Sequence, residues 1–144
     1  MELKKVNILQ FAAIIFKIDN KAFSRPFDLP SRDINEQRDY LKASEVFIAY
    51  ENGEPIGFIA YEIRKNETEI KSIAILPEHQ GKGIGKQIVK NILELLKTPV
   101  VYLVTHPKNR NAIIMYLKCG FEIYGWKDNY YGDGQPRLLL KLLK

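Results

Sequence analysis

A single cysteine, Cys119, and a single tryptophan occur in the 144 residues. One thiol excludes an internal disulfide and any metal site built from several cysteines. No apolar run approaches the roughly 20 residues that a membrane-spanning helix needs. Glu2, Asn7 and Gln10 also interrupt any apolar core of a leader at the N-terminus. The expectation is therefore a cytoplasmic protein with no membrane partner and no metal. Charge of either sign is unconcentrated: 22 Lys and Arg against 17 Asp and Glu leave +5, spread along the chain. A dispersed basic excess identifies no partner. The chain also lacks the aromatic–basic motif or recognition-helix pattern of a nucleic-acid-binding domain, so no nucleic acid is expected. Repeats, low-complexity tracts and linkers are missing too. A hydrophobic fraction of 46% and a charged fraction of 27% suit one globular domain over residues 1–144.

Apolar periodicity divides the chain into elements. Met1–Val6 begins a strand, and Ile8, Phe11, Ala12, Ile15 and Ile18 are spaced as on an amphipathic helix over Ile8–Asn20. Pro26 and Pro30 forbid a regular element in Phe23–Ser31, where Phe27 is either a loop anchor or part of a substrate wall. Arg32–Lys42 is polar and helical in pattern. Val46–Tyr50 and Pro55–Ile63 are strands around Glu51-Asn52-Gly53-Glu54, an Asn-Gly hairpin turn. A second polar turn, Arg64–Thr68, leads to a third strand, Glu69–Ile75. A helical pattern runs from Gly85 to Leu96, Thr98-Pro99 breaks it, and Val100–Thr105 is a buried strand. Strand, glycine loop, helix and strand make a βαβ unit, which places Val100–Thr105 parallel to Glu69–Ile75. Asn111–Lys118 is helical, and Phe121–Lys127 and Arg137–Leu142 are final strands around a polar connection. The fold class is α/β: a mixed, largely antiparallel sheet with one parallel pair, flanked by helices.

The glycine loop carries the functional signal. Ile73-Ala74-Ile75-Leu76-Pro77 is followed by Glu78-His79-Gln80-Gly81-Lys82-Gly83-Ile84-Gly85-Lys86. Glycines let backbone N–H groups approach a bound group, and a helix N-terminus adds unpaired donors, so the stretch suits an anion such as a pyrophosphate. A P-loop is excluded because Gln80 stands where its first glycine belongs and Gln87 follows Gly85-Lys86. A dinucleotide fingerprint is excluded because Lys86 stands at its third glycine.

Gln80-Gly81-Lys82-Gly83-Ile84-Gly85 matches [Gln/Arg]-x-x-Gly-x-[Gly/Ala] and resembles the acetyl-CoA-binding motif of the GNAT N-acetyltransferase superfamily. Asn109-x-x-Ala112-x-x-x-Tyr116-x-x-x-Gly120-Phe121 resembles a second signature of that superfamily, and the order of elements agrees from about Val46 onward. The resemblance implies the GNAT acyl-CoA N-acyltransferase fold, with the Glu69–Ile75 strand splayed from Val100–Thr105. It implies acetyl-CoA as the donor, its pantetheine paired with the backbone of Ile73, Ala74 and Ile75. The N–H groups of Gly81 to Lys86 would take the pyrophosphate, with charge added by Lys82 and Lys86, and Asn109 would bond the pantetheine arm.

The reaction so implied is direct transfer of an acetyl group to a primary amine, either a peptide N-terminus or a small molecule. The Ile75 N–H is the candidate oxyanion donor and Tyr116 the candidate general acid beside the sulfur. Glu69 matches the position of a catalytic glutamate in histone-type members; His79, His106 and a chain of waters remain alternatives for the base. Asp128-Asn129-Tyr130-Tyr131-Gly132-Asp133-Gly134 is similar to the hairpin of ribosomal-protein-alanine N-terminal acetyltransferases, which makes Tyr130 and Tyr131 candidates for acceptor binding. Gln135-Pro136-Arg137 replaces the acidic continuation usual there. A second reading of the same features is a non-catalytic acyl-CoA-binding regulatory module. Either a monomer or a homodimer is compatible with the sequence.

Overall fold

A computed structural model describes residues 1–22 and 33–144. Phe27 and the Phe23–Ser31 stretch, expected as either a pinned loop or a substrate wall, lie outside the described residues. Seven strands form one sheet in the order β1-β2-β3-β4-β5-β7-β6. They are β1 (Glu2–Val6), β2 (Glu45–Glu51), β3 (Glu54–Arg64), β4 (Glu67–Ile75), β5 (Val100–Thr105), β6 (Glu122–Lys127) and β7 (Arg137–Leu143). Among the described residues, four α-helices cover the sheet: α1 (Ile8–Ala22), α2 (Ile34–Leu41), α3 (Ile84–Leu95) and α4 (Arg110–Lys118). Every adjacent pair is antiparallel except β4 and β5, which run parallel.

Side chains alternate between the sheet's two faces, as the pleat requires. Phe58 and Ala60 of β3 join Ile15 and Ile18 of α1 and Leu41 of α2 on one face. Ile59 and Tyr61 join Ile88, Val89 and Ile92 of α3 and Tyr116 of α4 on the other. Burial of each such aliphatic side chain contributes about 1.5–3 kcal/mol, an upper figure because the unfolded chain already hides some surface. Local chemistry closes the elements. Asn7 starts α1, its Oδ1 accepting the Leu9 N–H at 2.8 Å. Asp33 caps α2 by accepting the Glu36 N–H at 2.8 Å. The β2–β3 turn places Asn52 at φ 52° and Gly53 at φ 78°, the left-handed pair that a two-residue hairpin needs.

Two features position the site. Pairing of β4 with β5 covers only Glu67–Glu69 against Val100–Tyr102. Beyond Glu69 the strands part: Ile70–Ile75 stays with β3, and Leu103–Thr105 stays with β7. Within β4, Ala60 faces Ser72 while Tyr61 faces Ile70, so Lys71 is the extra residue of a bulge. Such a bulge bends a strand and increases its twist.

Candidate active site

The parting of β4 and β5 opens a cleft of about 820 Å³. On one side it is lined by Ile73, Ala74, Ile75, Gln80, Gly81, Gly83, Ile84, Gly85 and Lys86, by Asn109 at the N-terminal cap of α4 and by Tyr116 within that helix. Those predicted donor-site residues are thus brought together. Lys82 is solvent-exposed and outside the lining.

The gap-facing edge of β4 follows from strand geometry. The Leu76 N–H donates to the Ile56 carbonyl of β3 at 2.8 Å. Successive residues of a strand aim their N–H groups at opposite edges, so the Ile75 N–H points away from β3 into the gap. The Ile75 carbonyl lies on the same edge and accepts the Gln80 Nε2–H at 2.8 Å. Gln80 therefore ties the loop back to β4 and satisfies that carbonyl, while the neighbouring N–H remains directed at the gap.

The loop itself is built for close approach. Gly81 and Gly83 adopt φ 77° and 80°, and a Cβ at either would meet no atom within 4 Å. Gly83 is the N-terminal cap of α3 and offers no side-chain hydrogen bond, and the first turn of α3 holds no acidic residue. Its N–H donors are thus open to an anion. Lys86 stands beside them, and Lys144 closes the far end of the helix by donating to the Leu93 and Leu96 carbonyls.

Sequence reasoning missed Gly57 of β3, directly opposite Ile75. A Cβ there would lie 2.7 Å from the Ala74 carbonyl oxygen and 2.7 Å from Ile75 Cδ1. Only glycine lets β3 approach β4 at the residue whose N–H enters the gap. A lone glycine within a strand pattern was the available signal.

Tyr116 projects from α4 with 5% of its surface exposed, packed edge-on against Phe121 with ring centroids 5.7 Å apart. Burial, with a smaller contribution from nearby Cys119, holds its hydroxyl pKa well above the ordinary tyrosine range. Tyr116 therefore keeps its proton at neutral pH.

The opposite half of the cleft is made of side chains from distant elements. Gln37 and Tyr40 of α2, Asp19 of α1, Lys71 of β4, and Tyr131 and Arg137 all line it. Gln37 is buried and donates to Asp19 Oδ2 at 2.7 Å. Tyr131 lines the cleft, whereas Tyr130 stands behind it, edge-on at 4.7 Å. The connection that carries them is pinned at three points. Asn129 Oδ1 accepts the Gly134 N–H at 2.7 Å, Arg137 Nη2 donates to Asp133 at 2.8 Å, and His106 Nε2 meets Gln135 Oε1 at 2.9 Å.

The candidate bases fall differently. His106 Nδ1 accepts the Lys108 N–H at 3.0 Å, so Nε2 carries the proton given to Gln135. His79 Nδ1 lies 3.3 Å from a Glu51 carboxylate oxygen. Glu69 does not line the cleft: its Oε1 accepts from Arg64 Nη1 at 2.6 Å. That hydrogen bond raises the Arg64 guanidinium further above its ordinary pKa. The strand register pairs Glu69 with Tyr102 at the last step before the strands part.

Comparison with known proteins agrees with this architecture. The acetyltransferase (GNAT) family model matches residues 12–121. The N-alpha-acetyltransferase RimI of Mycobacterium tuberculosis is 34% identical over 65 residues, 45% of this chain and 41% of that protein. The match therefore spans less than half of that relative's length. The [ribosomal protein bS18]-alanine N-acetyltransferase of Haemophilus influenzae is 28% identical over 120 residues, 81% of this chain and 79% of that protein. A GNAT family acetyltransferase from Elizabethkingia anophelis, solved with acetyl-CoA bound, superposes with a TM-score of 0.72 at 26% identity, covering 85% of this chain and 92% of that one.

Proposed function

This chain belongs to the acetyltransferase (GNAT) family, and on that premise we propose that it is an acetyl-CoA-dependent N-acetyltransferase acting on a primary amine. The observation that carries the reading is the open edge of β4 beside a glycine nest, at the one place where the parallel strands part. Residues 1–144 act as one catalytic domain.

The residues fit the donor. An unpaired strand edge suits the amide-bearing pantetheine arm, the N–H groups of Gly81 to Lys86 suit a pyrophosphate, and Asn109 sits beside the arm's path. Lys82, exposed beyond the cleft, adds charge near the phosphates. Bound there, acetyl-CoA supplies an acyl thioester for attack by the amine. The Ile75 N–H is placed for the oxygen that gains negative charge, and such a donor is worth roughly 10²–10³ in rate.

Tyr116 stays protonated and donates a hydrogen bond toward the sulfur. An ordinary phenol, at a pKa of about 10, is already a weaker acid than a thiol of about 8.5. Burial widens that difference, so Tyr116 stabilises the departing thiolate as a donor, with full proton transfer following only if the thiol's own pKa rises in the same dry site. With Glu69 bound to Arg64 and His106 held between Lys108 and Gln135, the amine's surplus proton leaves through His79, which lines the cleft, or through water there.

Tyr131, backed by Tyr130, borders the acceptor entry together with Tyr40 and Gln37. The acceptor is a peptide N-terminus or a small-molecule amine, and similarity to bS18-alanine acetyltransferases supports the former. Incubating the protein and acetyl-CoA with free amines, polyamines, amino acids and N-terminal peptides, with mass detection, tests the reading. Acetylated product with stoichiometric free thiol is expected. Tight acetyl-CoA binding without turnover on any amine would replace it with the regulatory-module reading.

A further inference from the structure

Arg64 stands at the vertex of the cleft and touches three strands. It ends β3, and its side chain is about half exposed. Its Nη1 donates to Glu69 Oε1 of β4 at 2.6 Å and to the Tyr102 hydroxyl of β5 at 2.8 Å. Its Nη2 donates to Glu62 Oε2 of its own strand at 2.7 Å. Glu62 and Glu69 are cross-strand partners, and Glu69 and Tyr102 are the last partners before β4 and β5 separate. Glu62, Glu69 and Tyr102 therefore form one row across the sheet at the parting point, and one guanidinium ties the row together.

The row needs that cation. Two carboxylates directly opposite each other on adjacent strands repel, and both are mostly covered, at 19% and 17% exposed. Lys71 reinforces the arrangement from the bulge: its Nζ donates to the Tyr40 carbonyl at 2.8 Å and to Glu62 Oε2 at 3.2 Å, and lies 4.2 Å from the Tyr40 ring centre. Two cations and two carboxylates thus balance. Isolated surface ion pairs contribute little, but a network of several charges with partly buried members is the exception. The pairing it holds is only three residues long on each strand, too short to resist fraying unaided.

We infer that Arg64 is a positioning residue for the donor site: it clamps β4 to β5 at Glu69 and Tyr102, and so sets where the gap begins and how its open edge is presented. Glu69 is then a member of the clamp. The inference rests on the reading that the gap holds acetyl-CoA. A frayed vertex must be re-ordered on binding, which lowers affinity without altering the groups near the reacting atoms.

Three variants and two measurements test it. Arg64→Met is expected to raise KM for acetyl-CoA about tenfold while kcat stays within about threefold. Amide hydrogen exchange in Glu67–Glu69 and Val100–Tyr102, measured without any ligand, is expected to accelerate. Arg64→Lys, which keeps one cation but loses the fork, should recover part of both effects. Glu69→Gln retains an oxygen for Arg64 and should lower kcat less than about threefold. Unchanged KM and unchanged exchange in Arg64→Met would overturn the clamp. So would a loss of about a hundredfold or more in kcat for Glu69→Gln, the signature of a general base. If the wild-type protein fails to bind acetyl-CoA at all, the donor reading falls, and ligand-free exchange still decides whether Arg64 holds the strands.

Discussion

The two halves of the cleft offer different surfaces and, on the proposed reading, would recognise their ligands by different means. The donor half is a backbone surface: the edge of Ile73–Ile75, the N–H groups from Gly81 to Lys86, and the start of α3. The acceptor half is a side-chain surface, gathered from α1, α2, β4, β7 and the connection carrying Tyr131. Backbone geometry depends on where glycine stands and tolerates exchange of other side chains. Side-chain surfaces change with each substitution. The donor should therefore be common to proteins of this architecture, while the acceptor is set chain by chain.

Substitutions can break that contrast or sharpen it. The largest effect is expected for Gly83→Val, where a β-branched side chain enters the nest at φ 80°. Acetyl-CoA affinity by calorimetry should fall at least about a hundredfold. The left-handed conformation costs about 1–2 kcal/mol of stability, so circular dichroism should still report a folded protein. Retained affinity would mean that the nest does not hold the pyrophosphate. Next is Tyr116→Phe, which removes one hydrogen-bond donor without leaving a cavity. Turnover should drop roughly ten- to a hundredfold at unchanged acetyl-CoA affinity; a wild-type rate would remove Tyr116 from the reaction.

Gly57→Ala sharpens the backbone side of the comparison, because the added carbon touches no ligand. It forces Ala74 and Ile75 away from β3, and overpacking of this kind costs about 1–3 kcal/mol. Thermal unfolding should show that loss alongside reduced turnover. Tyr131→Ala should raise the acceptor KM several-fold and leave the acetyl-CoA KM untouched, and a change confined to acetyl-CoA would reverse the assignment of the halves.

The smallest effect is a pH dependence of stability. The folded-state pKa of Tyr116 is raised by burial and then by Cys119, while the unfolded value stays near about 10. Below that value both states hold the proton and stability is flat. Above it the unfolded chain loses protons that the folded chain retains, so stability falls as pH rises. Tyr116→Phe should flatten that alkaline limb in urea titrations between pH 9 and pH 11, values bracketing the ordinary tyrosine pKa of about 10.

Legibility followed the same division. Gly81, Gly83 and Gly85 suggested an anion nest through their alternate spacing, Gln80 entered only through the resemblance to the family motif, and the Asn52-Gly53 turn was readable from local turn chemistry. The second signature led to Asn109 and Tyr116, which α4 does bring to the cleft. Glu69 shows the opposite case. Its candidacy as a catalytic glutamate rested on the resemblance, and only the structure shows that Arg64, five residues earlier, donates to its carboxylate. Gly57, Gln37 and Lys71 carry no motif, and each matters through a partner far away in sequence.

Alternation and turn chemistry were sufficient by themselves to determine the strands and helices and the βαβ unit, and glycine spacing to suggest an anion nest, because each depends on residues a few positions apart. The tertiary structure alone decided that β7 enters between β5 and β6, that β4 and β5 part after three paired residues, and that Gln37, Tyr40, Lys71 and Tyr131 meet across the gap. Those outcomes depend on how packing, twist and charge sum over the whole sheet, and no local window contains that sum.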